Sequence, residues 1–501
     1  MDQMTLSGQQ SPPVFRRAVV DLGSNSVRLV IYEGELRNPM QIFNEKAVLR
    51  LAKGMTSTGR LDDETLTRAG TVLHRYAAIA RAMGASPFEV LATSAVRDAE
   101  NGSAFVEAMM RRLPDMRISV LSGEQEASLS AEGVLCGIPG ADGLLADLGG
   151  GSLELVRLNA GQIGPAATLP VGVIRLAERA GHDIAKARAV MIEALAGVPF
   201  AAEAAGKDLY LSGGAFRALA RIHIAQTGYP LNIVHHYTIN RDEARDLAGV
   251  VSEGGRKLIE RMPGVPRRRI EDLPYAAVIL RRLLRATGAA RVVFSANGLR
   301  EGWFSRLLPP EIRAEDPLLA ASRDLVRGMV RDVNLPRALV AWTAPLFPGE
   351  TPAQKRLREA ACWLSDIGAH EHPEYRPEQA FMRVLRQAGM SLDHHARAFL
   401  ALTMAVRYEA PPEAGFLAPA RTLLDIQAAR RAETLGTALR LAYTLSAGTP
   451  HLLAGTALTL ASGKLVLSLA AANGVFAGDT VLRRLERLAL MLGCEAETVI
   501  Q

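Results

Sequence analysis

The spacing of apolar residues changes along the chain, and it predicts strands in some segments and helices in others. Two short apolar runs, 17–22 and 144–148, each lead into a Gly/Ser/Asn turn and a second alternating segment, which is typical of paired strands. Helical spacing predicts helices at 62–83, 102–113 and 124–133. Further strands are predicted at 87–91, 117–121, 209–211 and 291–295.

One of these strand–turn–strand units occurs twice. The segment RAVVDLGSNSVRLV at 17–30 resembles LLADLGGGSLELV at 144–156, at an offset of 147 − 21 = 126 residues. At that shift Asp21, Gly23, Ser26 and Leu29 all have identical counterparts. A duplicated half-domain explains the match better than chance does. The repeat therefore predicts two similar α/β domains that face each other across a cleft.

Beyond the second copy the pattern changes to helix. Prolines at 309, 310 and 317 interrupt the helical spacing, and from Leu318 onward the chain is rich in Ala, Leu and Arg. We therefore expect a first α/β domain at 1–139, a second at 140–308 and an all-α domain at 309–501. The residues up to Pro12-Pro13 are predicted to form a loose tail.

Composition narrows the class of protein. A length of 501 residues predicts about two to four domains, and 49% hydrophobic with 22% charged residues is typical of a globular chain. The net charge of +6 favours anionic ligands, with nucleic acid not expected among them. No apolar run is long enough to span a bilayer. Three widely spaced cysteines indicate neither a disulfide framework nor a zinc site, and the default expectation is a cytoplasmic protein.

The two Asp-Leu-Gly turns are the first candidates for chemistry. Glycine lets a ligand approach the backbone, and the N–H groups and serine hydroxyls of such a turn can bind phosphate oxygens. The aspartate can hold Mg²⁺ directly or through water, because that ion prefers oxygen ligands. One glycine-rich hairpin is usually only a turn. Two matching copies, each led by aspartate, predict phosphate binding.

Three other polar residues each have an ordinary structural explanation. A glutamate at the start of a helix, such as Glu126, is favoured by capping and by the helix dipole. Glu154 fits the polar face of an exposed strand, and Arg97 fits a surface salt bridge. Their combination with the two turns is what indicates a site.

Six motifs in this order resemble the exopolyphosphatase and guanosine pentaphosphate phosphohydrolase family. They are DLGSNS (21–26), ATSAVR (92–97), SGEQEA (122–127), DLGGGSLE (147–154), LSGGA (211–215) and SANGLREG (295–302). Together they span about residues 16 to 305. That family belongs to the sugar kinase, Hsp70 and actin superfamily. The resemblance implies two ribonuclease H-like (actin-like ATPase) α/β domains facing a cleft, followed by an all-α, HD-like C-terminal domain.

The resemblance also implies residue roles. Glu126 matches the catalytic glutamate that orients and deprotonates the attacking water, and Gln125 stands where the family often has another glutamate. Asp147 and Glu154 match the acidic pair at the magnesium ion and the water, with Asp21 a further metal candidate. Arg97 is expected to neutralise the equatorial phosphate oxygens. The implied substrate-binding residues are Ser24, Asn25, Ser26, Thr93, Gly149, Gly150, Gly151, Ser152, Gly213 and Gly214.

The chain departs from the family pattern at two places. Tyr275 stands where a glycine is common, which is expected to narrow the cleft. In the C-terminal region, WLSDIG at 363–368 resembles a Leu-His-Asp-Ile-Gly metal motif with Ser365 in place of the histidine. Loss of that ligand disfavours a second metal centre. We expect the C-terminal domain to dimerise the chain or to lengthen a channel for a polymer.

These features favour removal of the terminal phosphate from inorganic polyphosphate by a magnesium-assisted water attack. A long polyanion would suit a groove lined by arginines, including those of the run 267–269, for which a solvated turn is the alternative explanation. The family resemblance implies a homodimer. Hydrolysis of guanosine pentaphosphate at its 5′-phosphate remains the alternative. A kinase would need an adenosine pocket, of which Gly213-Gly214 is the one visible trace. A guanosine tetraphosphate sensor would have no need for Glu126, Asp147 and Glu154 together.

Overall fold

The computed structural model describes residues 15–500, and the predicted N-terminal tail lies outside this range. The chain divides into two compact units. The first contains the chain up to Gly228 together with Val234–Arg313. The second contains Tyr229–Ile233 and the chain from Ala314 onward.

The first unit is built around two mixed sheets. Its strands are β1 (Arg16–Leu22), β2 (Ser26–Glu33), β3 (Met40–Val48), β4 (Phe88–Ala92), β5 (Arg117–Val120), β6 (Gly143–Leu148), β7 (Leu153–Asn159), β8 (Gln162–Leu169), β9 (Asp208–Ser212), β10 (Tyr237–Asn240) and β11 (Arg291–Phe294). The order is β3-β2-β1-β4-β5 in the first sheet and β8-β7-β6-β9-β11-β10 in the second.

The two sheets repeat one topology. In the first, β2 is antiparallel to both β1 and β3, while β4 is parallel to β1 and β5 to β4. In the second, β7 is antiparallel to β6 and β8, while β9 is parallel to β6 and β11 to β9. The duplicated α/β architecture expected from the 126-residue repeat is confirmed, as is the ribonuclease H-like fold that the family resemblance implied.

Helices connect and cover these sheets. They are α1 (Met55–Thr58), α2 (Asp63–Ala82), α3 (Ser94–Arg97), α4 (Gly102–Arg112), α5 (Gly123–Gly137), α6 (Val173–Arg179), α7 (Ile184–Ala196), α8 (Gly214–Gln226), α9 (Arg241–Glu253), α10 (Arg256–Arg261), α11 (Leu273–Thr287), α12 (Leu299–Arg306) and α13 (Pro310–Ala314). The three helices and the strands predicted from spacing are present, with ends shifted by a few residues.

Local sequence fixes the start of the helix that matters most for the site. Ser122 caps α5: its side chain accepts from the Gln125 backbone N–H at 3.1 Å, and the Gln125 side chain accepts from the Ser122 N–H at 2.9 Å. This reciprocal capping box satisfies two N–H groups that would otherwise lack partners. It also places Glu126 in the first turn of α5, on its buried side.

The end of the first unit returns to the first sheet. Trp303 and Phe304 on α12 pack in one apolar cluster with Val19 of β1 and Tyr32 of β2. The Tyr32 hydroxyl donates to Glu301 at 3.0 Å, and the Trp303 indole donates to Glu89 at 2.7 Å. The core of the first sheet is therefore completed by residues that follow the second sheet in sequence.

The second unit is mostly helical, as expected, but it is not all-α. Its helices are α14 (Pro317–Leu325), α15 (Leu335–Thr343), α16 (Pro352–Leu364), α17 (Arg376–Arg386), α18 (His394–Arg407), α19 (Ala418–Leu423), α20 (Ile426–Ser446), α21 (Pro450–Ala454) and α22 (Asp479–Leu492). A three-stranded sheet completes it, in the order β12 (Thr456–Ala461), β13 (Lys464–Leu469), β14 (Glu495–Ile500).

This sheet corrects the prediction of helix to the end of the chain. Ser462 and Gly463 both have positive φ, 52° and 74°, between the paired residues Ala461 and Lys464. Positive φ at both central residues is the geometry of a two-residue hairpin turn. The apolar alternation after Lys464 buries Leu465, Leu467 and Leu469 on one face of a strand, and the composition alone did not reveal that period.

The serine in place of a metal-binding histidine is buried in the second unit. Ser365 Oγ donates to the Cys362 carbonyl at 2.7 Å and lies 2.9 Å from the Tyr443 hydroxyl. The neighbouring Asp366 is also buried, and its Oδ2 accepts from the Arg331 backbone N–H at 3.3 Å. Between residues 15 and 500, no helix is both long and apolar enough to cross a bilayer.

Candidate active site

A cavity of about 140 Å³ lies where the loops of the two sheets meet. Its walls come from the β1–β2 turn, the β6–β7 turn, the segment after β4, the start of α5 and the start of α8. Four carboxylates and five cations line it: Asp21, Glu126, Asp147 and Glu154, with Arg28, Lys46, Arg217, Arg269 and Arg300. The cavity is therefore a polar cleft with separate groups for binding anions and for holding cations.

The two matching turns differ in charge at one position. Asp21 on β1 pairs directly with Arg28 on β2, whereas Asp147 on β6 pairs directly with Glu154 on β7. Directly opposed residues of antiparallel strands share a face of the sheet. The first turn therefore presents a carboxylate beside a cation, and the second presents two carboxylates side by side.

The two turns also meet each other at close range. A Cβ placed on Gly151 would lie 2.6 Å from Ser94 Oγ and 2.8 Å from Ser24 Oγ, so a larger residue there requires neighbouring groups to shift. Those two serine hydroxyls lie 3.0 Å apart, within hydrogen-bond distance of each other. Gly151 therefore lets the β6–β7 turn approach the β1–β2 turn closely.

Gly213 and Gly214 form the start of α8. Gly213 has φ 101°, and a Cβ there would lie 2.3 Å from the Leu148 carbonyl oxygen. This conformation is rare for other residues, and it brings the start of α8 against the end of β6. Both Gly213 and Gly214 line the cavity as a result.

Glu126 reaches the cavity from α5 and is held by an arginine. Arg97, at the end of α3, donates from Nη1 to Glu126 Oε2 at 3.0 Å and to the Leu121 carbonyl at 3.0 Å. Its Nε donates to Asp98 at 3.0 Å. Glu126 is 7% exposed. The contact with Arg97 therefore fixes the orientation of a nearly buried carboxylate.

Burial and neighbouring negative charge raise the pKa values of Glu126, Glu154 and Asp21. Burial raises the pKa of Glu126 to about 7, with Asp147 and Asp21 adding to the effect and Arg97 opposing it. Burial, together with the charges of Glu126 and Asp147, raises the pKa of Glu154 well above its usual value. Burial also raises the pKa of Asp21, which Arg300 opposes. A group of carboxylates that resists ionisation is typical of a site that receives a cation or a proton.

The donor set at the second turn fits a magnesium ion. Glu154 is 1% exposed, and its Oε1 has no hydrogen-bond partner among the described residues. Asp147 accepts from the Ser130 hydroxyl. Within residues 15–500 no three His, Cys, Asp or Glu side chains converge on one metal position. Mg²⁺ typically takes one or two carboxylates and completes its shell with water and substrate phosphates, so two carboxylates suffice.

The sequence reasoning named Arg269 and missed the other four cations of the cavity. Arg28 lies at the position of the repeat that corresponds to Glu154, and Arg217 follows Gly213-Gly214 by one helical turn. Arg300 lies inside the sixth motif, is 7% exposed, and its Nη1 has no hydrogen-bond partner in the described part of the chain. Comparing the two copies of the repeat position by position would have found Arg28. Lys46 comes from a distant segment and gave no such signal.

Most of the predicted site residues meet at the cavity. Those that line it are Asp21, Ser24, Asn25, Ser26, Thr93, Glu126, Asp147, Gly149, Gly150, Ser152, Glu154, Gly213 and Gly214. Gly151 lies behind them at the contact between the loops. Arg97 lies behind Glu126 and does not line the cavity. The expected narrowing by Tyr275 is not seen, because this side chain is buried in α11 and lines no part of the cavity.

Comparison with known proteins identifies the family of this chain. The model of the Ppx/GppA phosphatase family matches residues 29–311, more than half of the chain. The chain belongs to the Ppx/GppA phosphatase family. A second model, that of the exopolyphosphatase C-terminal domain, matches residues 318–499. Phosphatases of the Ppx/GppA family generally use divalent metal ions, in agreement with the donor set described above.

Relatives and solved structures extend the comparison. Retrograde regulation protein 2 of Saccharomyces cerevisiae is 26% identical over 433 residues, which cover 78% of this chain and 72% of that protein. Exopolyphosphatase 1 of Mycobacterium tuberculosis is 29% identical over 308 residues, covering 59% and 89%. The crystal structure of an exopolyphosphatase-like protein matches with a TM-score of 0.52 at 25% identity, covering 58% of this chain and 97% of that one. The family model therefore spans the lining residues of the cavity from Lys46 onward, whereas those between Asp21 and Arg28 precede the matched range.

Proposed function

We propose that this protein is an exopolyphosphatase that removes the terminal phosphate of inorganic polyphosphate by direct attack of water. The observation that carries this proposal is the composition of the cavity: two phosphate loops, four carboxylates and five cations within one cleft. Its lining contains no Phe, Tyr or Trp side chain among the described residues, so it offers no surface for stacking a base. The chemistry of the walls suits a ligand made of phosphates.

The residues take distinct parts in this reaction. Glu126 is the general base: it accepts the proton of the attacking water, as the water oxygen bonds to the terminal phosphorus and the bridging P–O bond breaks. The products are orthophosphate and a chain one phosphate shorter, which leaves with the electrons of the broken bond. Arg28, Arg217 and Arg300 line the cavity and neutralise the phosphate oxygens. The loop residues Ser24, Ser26 and Ser152 bind and orient the terminal phosphate.

Asp147 and Glu154 would hold a divalent ion, for which we propose Mg²⁺, with Asp21 a weaker candidate because Arg28 lies opposite it. When bound, such an ion supplies positive charge to the phosphate oxygens and lowers the pKa of water in its shell. The protein itself presents the two carboxylates on one face of the β6–β7 pair and keeps bulk water out of the cleft.

The first experiment measures phosphate release from long-chain polyphosphate and, separately, from guanosine pentaphosphate, with Mg²⁺ and purified protein. We expect much faster release from polyphosphate. The variant Glu126→Gln should lower kcat by about 10²- to 10⁴-fold, the range for loss of a general base. Glu124→Gln is the matched control, since Glu124 is exposed in the same turn of α5 and lies outside the cavity.

Three outcomes would count against the proposal. Preference for guanosine pentaphosphate would reassign the substrate while keeping the chemistry. Absence of phosphate release from both compounds would contradict the proposed enzymatic activity. Full activity of a folded Glu126→Gln variant would contradict the proposal that Glu126 is the general base. The homodimer expected from the family resemblance is a separate part of the proposal, and light scattering of the purified protein tests it directly.

A further inference from the structure

Helix α6 is attached by its backbone to the glycine-rich β6–β7 turn. The N–H groups of Ile174 and Arg175 both donate to the Gly150 carbonyl oxygen, at 2.9 and 3.2 Å. Gly172, just before the helix, packs so closely on the turn that a Cβ there would lie 2.5 Å from the same oxygen. Since Gly150 lines the cavity, the start of α6 is fixed against a wall of the site.

The side chain of Arg175 extends from α6 to the half of the first unit that contains the first sheet. Its Nη2 donates to Asp98 Oδ2 at 2.8 Å. Asp98 directly follows α3, which comes after strand β4. The side chains of Arg175 and Asp98 are 15% and 32% exposed, so this ion pair is partly shielded from water. Arg175 therefore contacts a turn of the second sheet through its backbone and the first half through its side chain.

Asp98 joins Arg175 to the arginine that contacts Glu126. Its Oδ1 accepts from Arg97 Nε at 3.0 Å while its Oδ2 accepts from Arg175, so both carboxylate oxygens are occupied. Arg97 in turn donates from Nη1 to Glu126 Oε2 at 3.0 Å. A guanidinium group is planar, so hydrogen bonds at two of its nitrogens fix the orientation of the whole group. A continuous series of hydrogen bonds therefore connects the β6–β7 turn to Glu126.

We propose that Arg175 and Asp98 are positioning residues, which set the place of Glu126 relative to the β6–β7 turn. This inference rests on the proposed function, in which the turn binds the terminal phosphate and Glu126 accepts the proton of the attacking water. The turn and Glu126 belong to different halves of the unit, and in-line attack requires phosphate and base at a fixed separation. Neither Arg175 nor Asp98 is among the residues that line the cavity, so both act through Arg97.

The structure provides two controls for removal of the Arg175 charge. Arg50, after β3, also connects the two halves: its Nη1 donates to Glu271 Oε2 at 2.7 Å, and neither residue lines the cavity. Arg50→Gln therefore removes a bridge of the same kind that does not reach Glu126. Arg179 lies on α6, is exposed, and donates to a backbone carbonyl at 3.3 Å. Arg179→Gln therefore removes the same charge from the same helix.

Steady-state kinetics on long-chain polyphosphate with Mg²⁺ tests the proposal. Arg175→Gln and Asp98→Asn should each lower kcat at least about tenfold with little change in KM, because displacement of a catalytic group slows the reaction. The double variant should lose no more than either single variant, since both remove one contact. Arg50→Gln and Arg179→Gln should keep the kcat of the unmodified protein.

Two further measurements separate positioning from a general structural role. Arg175→Lys should recover most of the lost kcat, because one N–H···O bond to Asp98 does not require the guanidinium fork. The melting temperature of Arg175→Gln should stay close to that of Arg179→Gln, since ion pairs near the surface contribute little to stability. A large fall in melting temperature together with the fall in kcat would indicate a structural role and contradict the proposal.

Other results would also overturn the inference: unchanged kcat in Arg175→Gln, a further loss in the double variant, or a raised KM at constant kcat. If the unmodified protein hydrolyses no polyphosphate, the proposed function fails. The crystal structure of Arg175→Gln then still tests the contact. We expect the bond from Arg97 Nη1 to Glu126 Oε2 to be lost in this variant and kept in Arg50→Gln, and its retention in both would refute the positioning role.

Discussion

Arg97 Nη1 donates a 3.0 Å hydrogen bond to Glu126 Oε2 while also donating to the carbonyl oxygen of Leu121. The bond joins the end of α3 to the first turn of α5, two elements that follow neighbouring strands of the first sheet. Because Arg97 does not line the cavity, we propose that it positions the base and does not contact phosphate. This differs from the role that the family resemblance implied.

Arg97→Lys should distinguish these two roles. A lysine keeps the charge but not the planar set of donors that reaches Glu126, Leu121 and Asp98, so the carboxylate would lose its fixed orientation. We expect kcat to fall by about 10²-fold, as for a small misplacement of a catalytic group, with little change in KM. Steady-state kinetics on polyphosphate measures both constants.

Arg111→Lys is the control for that measurement, because Arg111 is exposed on α4 and its nearest carboxylate, Glu107, is 3.8 Å away. A raised KM with an unchanged kcat in Arg97→Lys would instead indicate that Arg97 binds phosphate.

Glu154→Gln should make the metal-free protein more stable and the enzyme inactive. The native carboxylate is 1% exposed with an unpartnered Oε1, so replacing it with a neutral amide should raise the free energy of unfolding in EDTA by about 1–3 kcal/mol. Added Mg²⁺ should raise the melting temperature of the unmodified protein but not of the variant, because a ligand stabilises only the state that binds it.

Thermal melting with and without Mg²⁺ measures both effects, with Glu193→Gln on the exposed side of α7 as the control. An equal Mg²⁺ response in Glu154→Gln and the unmodified protein would rule out Glu154 as a ligand.

Gly151→Ala should impair catalysis by disturbing the contact between the β1–β2 and β6–β7 turns. The added methyl group would lie 2.6 Å from Ser94 Oγ and 2.8 Å from Ser24 Oγ, so the serine hydroxyls or the turns themselves must shift. We expect kcat/KM to fall by at least about tenfold, since small displacements in such sites are costly. Gly140→Ala is the control, because no atom lies within 4 Å of its added Cβ. Activity equal to that of the control would show that the contact is not needed.

Polyphosphate binding should be accompanied by proton uptake at Lys46. Its pKa is lowered to about 7 in the free protein, and a bound polyanion adds negative charge that raises it. Above pH 7 the amine is therefore mostly neutral when free and protonated when the ligand is bound. Titration of tripolyphosphate at pH 8 in buffers of different ionisation enthalpy measures the uptake. Lys46→Met should abolish the part that Lys46 contributes, and unchanged uptake in that variant would contradict the assignment.

Local patterns were enough to predict much of the first unit. The 126-residue repeat predicted the duplicated strand–turn–strand units, and the structure confirms one topology for both sheets. Helix α5 was predicted from its spacing, and Ser122 caps it as a serine at that position is expected to do. The sheet after Gly455 was missed, because short apolar segments near the end of a helical domain do not distinguish a strand from a helix.

The site illustrates the same limit. The carboxylates and glycines were predictable because they lie in contiguous motifs, and the residue types of those motifs indicate their chemistry. Lys46 was not, since it is unremarkable in its own segment and gains its place in the site from neighbours far away in sequence. The positioning role proposed for Arg97 likewise rests on a contact across 29 residues.

The sequence by itself determined the family, the repeated α/β halves and the acidic residues, because strand periodicity, glycine turns and aspartates are local properties of the chain. Tertiary structure alone decided which cations face the carboxylates and which arginine contacts Glu126. These depend on the side of each element that faces the cleft. Charge interactions act through distance in space, and spacing along the chain does not record that distance.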